Sequence, residues 1–335
     1  MVRIGIVGYG YWGKNLVRNF NASDNCQLIY VCEKSQSDAN KCRSLYPNIE
    51  VVDDYDLLLN DASIDAIVIA TPVDTHYTLS KSALEADKNV LVEKPLTSSY
   101  HEAKHLVELA NEKGKVLMVD HTFLYTGAVK YMKKAVDAGK IGDIQYFDST
   151  RINLGLFQRD VNVLWDLAPH DISICNHLLN KKPLSVQAIG VSHTDNNIEN
   201  IAYLTLKYEK NVIAHFNCSW ISPVKIRQML IGGSEKMILF NDMELTEKIK
   251  IYDTGYEVQS DDDRNRILID YRTGDIHVPK VPITEALALM AEDFINAIQT
   301  GEKPTSDAIS GLNVVEVLDA AEASIKKNGK EIKLA

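Results

Sequence analysis

The sequence predicts an α/β protein: an N-terminal doubly wound domain on a parallel sheet, then an α+β domain on a mainly antiparallel open sheet. Three observations predict it. Short apolar runs alternate with helix-patterned stretches through the first third of the chain. From about residue 123 that alternation gives way to β-rich segments joined by short turns. At 335 residues the chain is also long enough for two buried cores. The expected domains are 1–122 and 123–335, with the C-terminal helices free to pack back on the first.

Each element can be justified in order. RIGIVG (3–8) is the first strand, and behind it Trp12, Leu16 and Phe20 fall on one helix face. QLIYVCE (27–33) is the second strand, followed by the polar helix SQSDANKCRSL, which Ser35 can cap. EVV (50–52) precedes a small helix around YDLLL. IDAIVIA (64–70) is apolar throughout, as a strand buried on both faces must be. THYTLSKSALEA (75–86) reads as a helix, NVLVEK (89–94) as a strand, SYHEAKHLVELANEK (99–113) as a helix closed by Gly114, and VLMVD (116–120) as a strand. Repeated β-α units of this length imply parallel strands with helices on both faces.

The second half begins with a helix, GAVKYMKKAVDAG (127–139), and a half-exposed strand, DIQYFDSTRIN (143–153). A loop leads to a helix over roughly 166–179. The strands LSVQAIGVS, NIAYLTLKY, VIAHFNCSW, VKIRQMLIGG, KMILFND and KIKIYD follow. Turn-like links around Glu209-Lys210-Asn211 and Gly232-Gly233 favour antiparallel pairing. SDDDRNR (260–266) reads as an exposed loop. The last helices, 284–301 and 307–327, carry apolar stripes (Leu287, Phe294, Ile298; Ile309, Leu312, Leu318, Ile325) that belong to a core. Helices on one face of this sheet leave the other in need of a partner, which predicts a homodimer or homotetramer.

Composition narrows the function classes. A formal net charge of −10, with no basic cluster, argues against nucleic acid and anionic membranes as partners. It leaves room for an anionic small molecule, which a helix N-terminus or a single Arg can hold. No segment approaches the length of a membrane span, and the N-terminus opens on a strand instead of a leader. Cys26, Cys32, Cys42, Cys175 and Cys218 form no C-x-x-C pair and read as buried thiols in a reducing cytoplasm.

Gly8-x-Gly10-x-x-Gly13 lies directly after the first strand and opens the first helix, where a dinucleotide fingerprint requires it. Gly8 allows the tight turn, Gly10 lets a pyrophosphate approach the backbone, and Gly13 lets helix pack on strand. Tyr11 and Trp12 lie within this cradle. Glu33 ends the second strand twenty residues beyond Gly13, where a carboxylate accepts from ribose hydroxyls and repels a 2′-phosphate. That favours NAD over NADP, with Lys34 beside it pulling the other way. A Rossmann domain follows from fingerprint and context together.

Two further constellations can carry chemistry. Glu93-Lys94-Pro95 ends a buried parallel strand, at the sheet edge where such folds bind ligands. A Lys there can point at a cofactor, or it can be an ordinary surface Lys leaving a strand. Asp166-x-x-x-His170 puts an acid and an imidazole on one helix face. Pro169 suits only a first turn, so the helix is expected to begin near Asp166, with Asp166 as an alternative N-cap. His170 suits a general base, or a surface or capping role. No third ligand accompanies the pair, so no metal is expected. Thr71, Pro72 and His76, and His121, follow strands that lead to the same edge. Asn153 and Arg159 flank the loop ahead of Asp166, and Arg159 or Arg151 would suit a diphosphate or carboxylate.

GYGYWG, VEKPLT and DLAPHDI, in this order and at these distances, resemble the glucose–fructose oxidoreductase / inositol dehydrogenase / MocA-like family over nearly the whole chain. The resemblance implies that Lys94 is the lysine bridging cofactor and substrate hydroxyl, and that Asp166 and His170 are the paired acid and proton acceptor. It also implies that Thr71, His76, Glu93 and His121 line the nicotinamide half of NAD. One departure is Ala168-Pro169 before His170, where many relatives carry a Gly. The implied reaction moves a hydride between nicotinamide and a sugar-ring carbon lying in a cleft between domains. GYWGKNLVRNF and WDLAPHDI look most like the subgroup acting on nucleotide-activated sugars, UDP-N-acetylhexosamines or their uronic acids at C3. A free polyol, as in inositol dehydrogenases, is the alternative, and a non-catalytic NAD-binding sensor the alternative of another class.

Overall fold

Val2–Val7 (β1) runs through the centre of a sheet because its apolar side chains are buried on both faces. It is joined by Cys26–Cys32 (β2), Glu50–Val52 (β3), Ala66–Ile69 (β4), Asn89–Glu93 (β5) and Leu117–Asp120 (β6). All pairs are parallel and the order is β3-β2-β1-β4-β5-β6. β4 and β6 are buried along their whole length, as their unbroken apolar runs require. The order reverses between β1 and β4, and such a switch point opens a crevice at the carboxyl ends of the strands. The crossovers are Gly13–Ala22 (α1), Gln36–Leu45 (α2), Tyr55–Asn60 (α3), Val73–Glu85 (α4) and Tyr100–Lys113 (α5). Ser35 and Ser99 cap α2 and α5 by accepting from Asp38 N and Glu102 N. Gly114 closes α5 in the left-handed conformation.

Gly127–Asp137 (α6) precedes a second sheet. Its strands are Ile144–Leu154 (β7), then, past Val163–Leu179 (α7), Ser185–Val191 (β8), Ile201–Lys207 (β9), Ile213–Ser219 (β10), Ile221–Gly233 (β11), Met237–Asn241 (β12) and Ile249–Tyr252 (β13). Gly255–Glu257 (β14) and Asp270–Arg272 (β15) pair separately, while Ile276–His277 (β16) and Ile332–Lys333 (β17) edge the main sheet. The nine strands run β16-β13-β12-β11-β7-β10-β9-β8-β17, antiparallel except where β10 meets β7. Alternation divides the faces: on β9, Ala202, Leu204 and Leu206 are buried while Tyr203 is half exposed. α7 packs on β7, β9 and β10 and covers the buried face.

α7 begins at Val163 and not near Asp166. Asn162 is the cap, its Oδ1 accepting from Leu164 N (3.1 Å) and Trp165 N (3.4 Å). Pro169 therefore sits inside the helix, forgoing one backbone bond to Trp165, and Asn162 caps the helix in place of Asp166.

Ala286–Thr300 (α8) and Ala308–Lys326 (α9) close the chain. The computed structural model describes residues 1–155, 157–158, 161–257, 270–272 and 274–334, so the stretch 260–266 and Arg159 lie outside the described residues. The chain forms two compact units, 1–126 with 284–319 and 127–283 with 320–335. In the first, α8 lies on α1 and β1, with Phe294 edge-on to Phe20 (ring centroids 6.5 Å apart). Both rings are fully buried, each contributing about 1.5–3 kcal/mol by leaving water.

Candidate active site

The glycine turn between β1 and α1 separates its three glycines by what surrounds them. Gly8 has φ +95, and a Cβ there would lie 2.4 Å from the Ala70 carbonyl oxygen. A Cβ on Gly13 would lie 2.2 Å from the Gly8 oxygen. A Cβ on Gly10 would meet nothing within 4 Å. Packing demands the outer two, while the middle one faces open space. α1 has no side-chain cap; Lys14 N and Asn15 N turn back to the Gly10 and Trp12 carbonyls at 3.4 and 2.9 Å. Tyr11 and Trp12 are exposed beside this opening, with Tyr9 buried beneath.

Glu33 reaches back to this turn. Its Oε2 accepts from Tyr9 N at 2.6 Å and its Oε1 from Ser35 N at 2.6 Å. A carboxylate so anchored keeps further lone pairs for ribose hydroxyls and opposes a phosphate at the same place. Open space at Gly10, an uncapped helix start and a fixed carboxylate together fit a dinucleotide.

The loops after β4 and β5 are tied together by His76. Its ring is buried, with Nδ1 2.9 Å from Pro95 O and Nε2 2.9 Å from Thr71 O. Burial pushes its pKa down, against the pull of the two carbonyls. Thr71 Oγ1 and Thr75 Oγ1 share a hydrogen bond of 2.6 Å, and Pro72 is exposed at the start of α4. The neutral His76 ring carries a single N–H, so it donates to one of the Pro95 and Thr71 carbonyls and packs against the other. Half-buried Lys94 follows β5 directly.

Glu93 and Asp120 are register partners at the ends of β5 and β6, and both carboxyls are buried side by side. Burial, then the neighbouring Asp120, pushes Glu93 well above the usual carboxyl range; burial raises Asp120 too. Thr122 Oγ1 donates to Asp120 Oδ1, and Lys94 N to Glu93 Oε2 at 3.2 Å. Next to them His121 is fully buried, and burial lowers its pKa from 6.5 to about 3, so the ring is neutral. Glu93 Oε1, Asp120 Oδ2 and both His121 ring nitrogens meet no hydrogen-bond partner among the described residues. Buried polar atoms left so suit a polar ligand group at this sheet edge. Asp120 was not singled out by the sequence, where it reads as an ordinary strand end.

In the second unit, Asp166 and His170 are both half exposed, one turn apart on α7. Asp166 Oδ2 accepts from the indole Nε1 of Trp220 at 2.9 Å. Trp220, on the link between β10 and β11, lies 54 residues further along, and no local pattern pointed to it. Asn153 lies half buried near the end of β7. Arg151 is buried instead of presented to a ligand: its Nε and Nη2 hold Asp171 Oδ1 at 2.8 and 2.5 Å, and Ser149 donates to Oδ2 at 2.7 Å. This ion pair belongs to the interior between β7 and α7.

Among the described residues, no group of three or more His, Cys, Asp or Glu could hold a metal ion, and no helix is long and apolar enough to cross a membrane. The five cysteines are free and buried.

A fingerprint turn on a 3-2-1-4-5-6 parallel sheet defines the first unit as an NAD(P)-binding Rossmann domain. The model of an oxidoreductase family with an NAD-binding Rossmann fold matches residues 2–121, and that of the GFO/IDH/MocA C-terminal domain matches residues 129–239. The chain belongs to the GFO/IDH/MocA oxidoreductase family. It is 36% identical over 181 residues to the uncharacterised oxidoreductase YdgJ of Escherichia coli K12, spanning 50% of this chain and 51% of that one. It is 27% identical to UDP-N-acetylglucosamine 3-dehydrogenase of Acidithiobacillus ferrooxidans, over 97% of this chain and 99% of that protein. The solved structure of that dehydrogenase superposes with a TM-score of 0.81 at 25% identity, over 97% and 99% of the two chains. Inositol 2-dehydrogenase of Rhizobium meliloti is 24% identical over 100% of this chain and 99% of its own.

Proposed function

We propose that the protein is a cytoplasmic NAD-dependent dehydrogenase that oxidises a ring hydroxyl of a nucleotide-activated sugar, a UDP-N-acetylhexosamine or its uronic acid, at C3. The reaction type is supported by an acid–imidazole pair one turn apart on α7 of the second unit, Asp166 and His170, and, taken by itself, by a lysine directly after β5 in the first unit of an oxidoreductase fold. The full-length similarity to UDP-N-acetylglucosamine 3-dehydrogenase supports the substrate class. The preference for NAD rests on Glu33, anchored where a 2′-phosphate would have to sit. The buried free thiols fit a reducing compartment. The half-exposed apolar face of the second sheet supports a homodimer or homotetramer.

Gly8, Gly10, Tyr11, Trp12 and Gly13 would hold the pyrophosphate, Glu33 the adenosine ribose, and Thr71, Pro72, Glu93, Lys94 and His121 the nicotinamide half. His76 would serve that half by donating its one N–H to the Thr71 or the Pro95 carbonyl. NAD, when bound, supplies the hydride acceptor. His170 takes the proton from the reacting hydroxyl, and Asp166 supports the imidazolium that results. Lys94 donates a hydrogen bond to the same oxygen and stabilises the negative charge that develops on it. Asn153 would border the substrate, and Arg151, buried against Asp171, would act through that ion pair.

Lys94→Ala should lower kcat by about 100-fold or more, the scale of one lost electrostatic stabiliser, with an unchanged far-ultraviolet spectrum. Formation of reduced nicotinamide from NAD with UDP-N-acetylglucosamine, its uronic acid or myo-inositol gives the readout. Near wild-type turnover would remove Lys94 from the mechanism, and turnover of myo-inositol alone would move the protein to the free-polyol class.

A further inference from the structure

We propose that Trp220 is a positioning residue for the acid–base pair: its indole N–H fixes the Asp166 carboxylate in the orientation His170 requires. This rests on the assignment of Asp166 and His170 above. The contact is Trp220 Nε1–H donating to Asp166 Oδ2 at 2.9 Å. Trp220 is fully buried, whereas Asp166 is half exposed, so a rigid donor meets an acid that faces outward.

Four features lock the indole. Trp220 N donates to Asn200 O and Gly155 N donates to Trp220 O, both at 2.9 Å, tying the residue to the start of β9 and the end of β7. Phe157 stacks on the ring, with centroids 5.7 Å apart and planes 27° from parallel. Gly155 makes room, because a Cβ there would lie 2.9 Å from Trp220 Cδ1. An exposed Asp on a helix ordinarily samples several rotamers. Here a donor set by three chain segments selects one, and the planar carboxylate carries that choice to its second oxygen. A donor to the charged form also spreads its charge, so less negative potential acts on the imidazole one turn along α7.

Trp220→Phe keeps most of the ring and removes the N–H. It should lower kcat about ten-fold, as for a lost hydrogen bond to a charged group, with KM for NAD unchanged. The acid limb of the pH–rate profile should move to higher pH, because the unshielded carboxylate favours protonated His170. In an Asp166→Asn background the same substitution should change kcat by no more than about two-fold. A benzothienylalanine at 220, isosteric with Trp but lacking the N–H, should reproduce these effects if Trp220→Phe unfolds. Independently of turnover, the Trp220 indole N–H resonance, identified by its loss in Trp220→Phe, should shift in Asp166→Asn. Wild-type kcat and pH profile in both Trp220 variants would overturn the proposal. So would an equal loss of kcat in the Asp166→Asn background, which would make Trp220 merely structural. If Asp166→Asn itself leaves kcat unchanged while the indole resonance still shifts, the contact stands but the assignment of Asp166 fails, and the positioning role falls with it.

Discussion

His121 shows how one buried residue sets a pH dependence. Its ring has an ordinary pKa of 6.5 in the unfolded chain and one of about 3 in the folded one. Between those values the unfolded state binds the extra proton, so stability falls as pH drops through that window. His121→Gln cannot titrate, and melting temperatures measured between pH 6.5 and 3 should decline less steeply in that variant than in wild type. Parallel slopes would mean that His121 is protonated without cost. The carboxyls beside it act in the opposite sense, because acids with raised pKa values weaken the fold as pH rises. At this scale the sequence identifies residue types but not partners. Arg151 looked available for an anion because nothing in its neighbourhood announces Asp171, twenty residues on and brought beneath it by α7 packing on β7. Asp120 was invisible as a functional candidate for the same reason: its pairing with Glu93 exists only across two strands.

At the scale of elements, the glycine turn makes a sharp forecast. Gly13→Ala must push a methyl into the Gly8 carbonyl and should destabilise the fold by about 1–3 kcal/mol, the usual range for overpacking. Gly10→Ala meets open space, so it should melt with wild type yet bind NAD more weakly, as thermal melts and a nucleotide titration would show. Equal loss of binding with no difference in melting would contradict the packing argument. Strands β1, β4 and β6 were legible because strands buried on both faces leave unbroken apolar runs, α2 because Ser35 caps it, and α5 because Gly114 closes it. The start of α7 was not. Pro169 suggested a first turn, but Asn162 begins the helix seven residues earlier, and the helix continues through the proline at the loss of one backbone bond. The parallel pairing of β10 with β7 was equally hidden, since alternation gives the face of a strand and says nothing of its direction.

At the scale of the whole molecule, the outer face of the second sheet carries Ile189, Tyr203 and Ile213, all about half exposed, with Tyr203 stacked on His215. Tyr203→Glu would place a charge at the centre of that face and should shift the protein to a smaller species in light scattering behind a sizing column, with the catalytic residues untouched. An unchanged mass would move the interface elsewhere. The expectation of such a face came from reading helices on one side of the sheet alone, which leaves the other side in need of a partner.

The return of α8 to the first unit has a consequence for biosynthesis. Arg18 pairs with Glu285, Ser23 and Asn25 bind Glu292, and Phe20 meets Phe294, so the outer side of α1 is finished by chain that leaves the ribosome more than 250 residues later. A nascent chain that has emerged only as far as residue 126 therefore carries a bare apolar strip on an otherwise complete sheet. It must wait, sheltered or at risk of aggregation, while the entire intervening unit is translated.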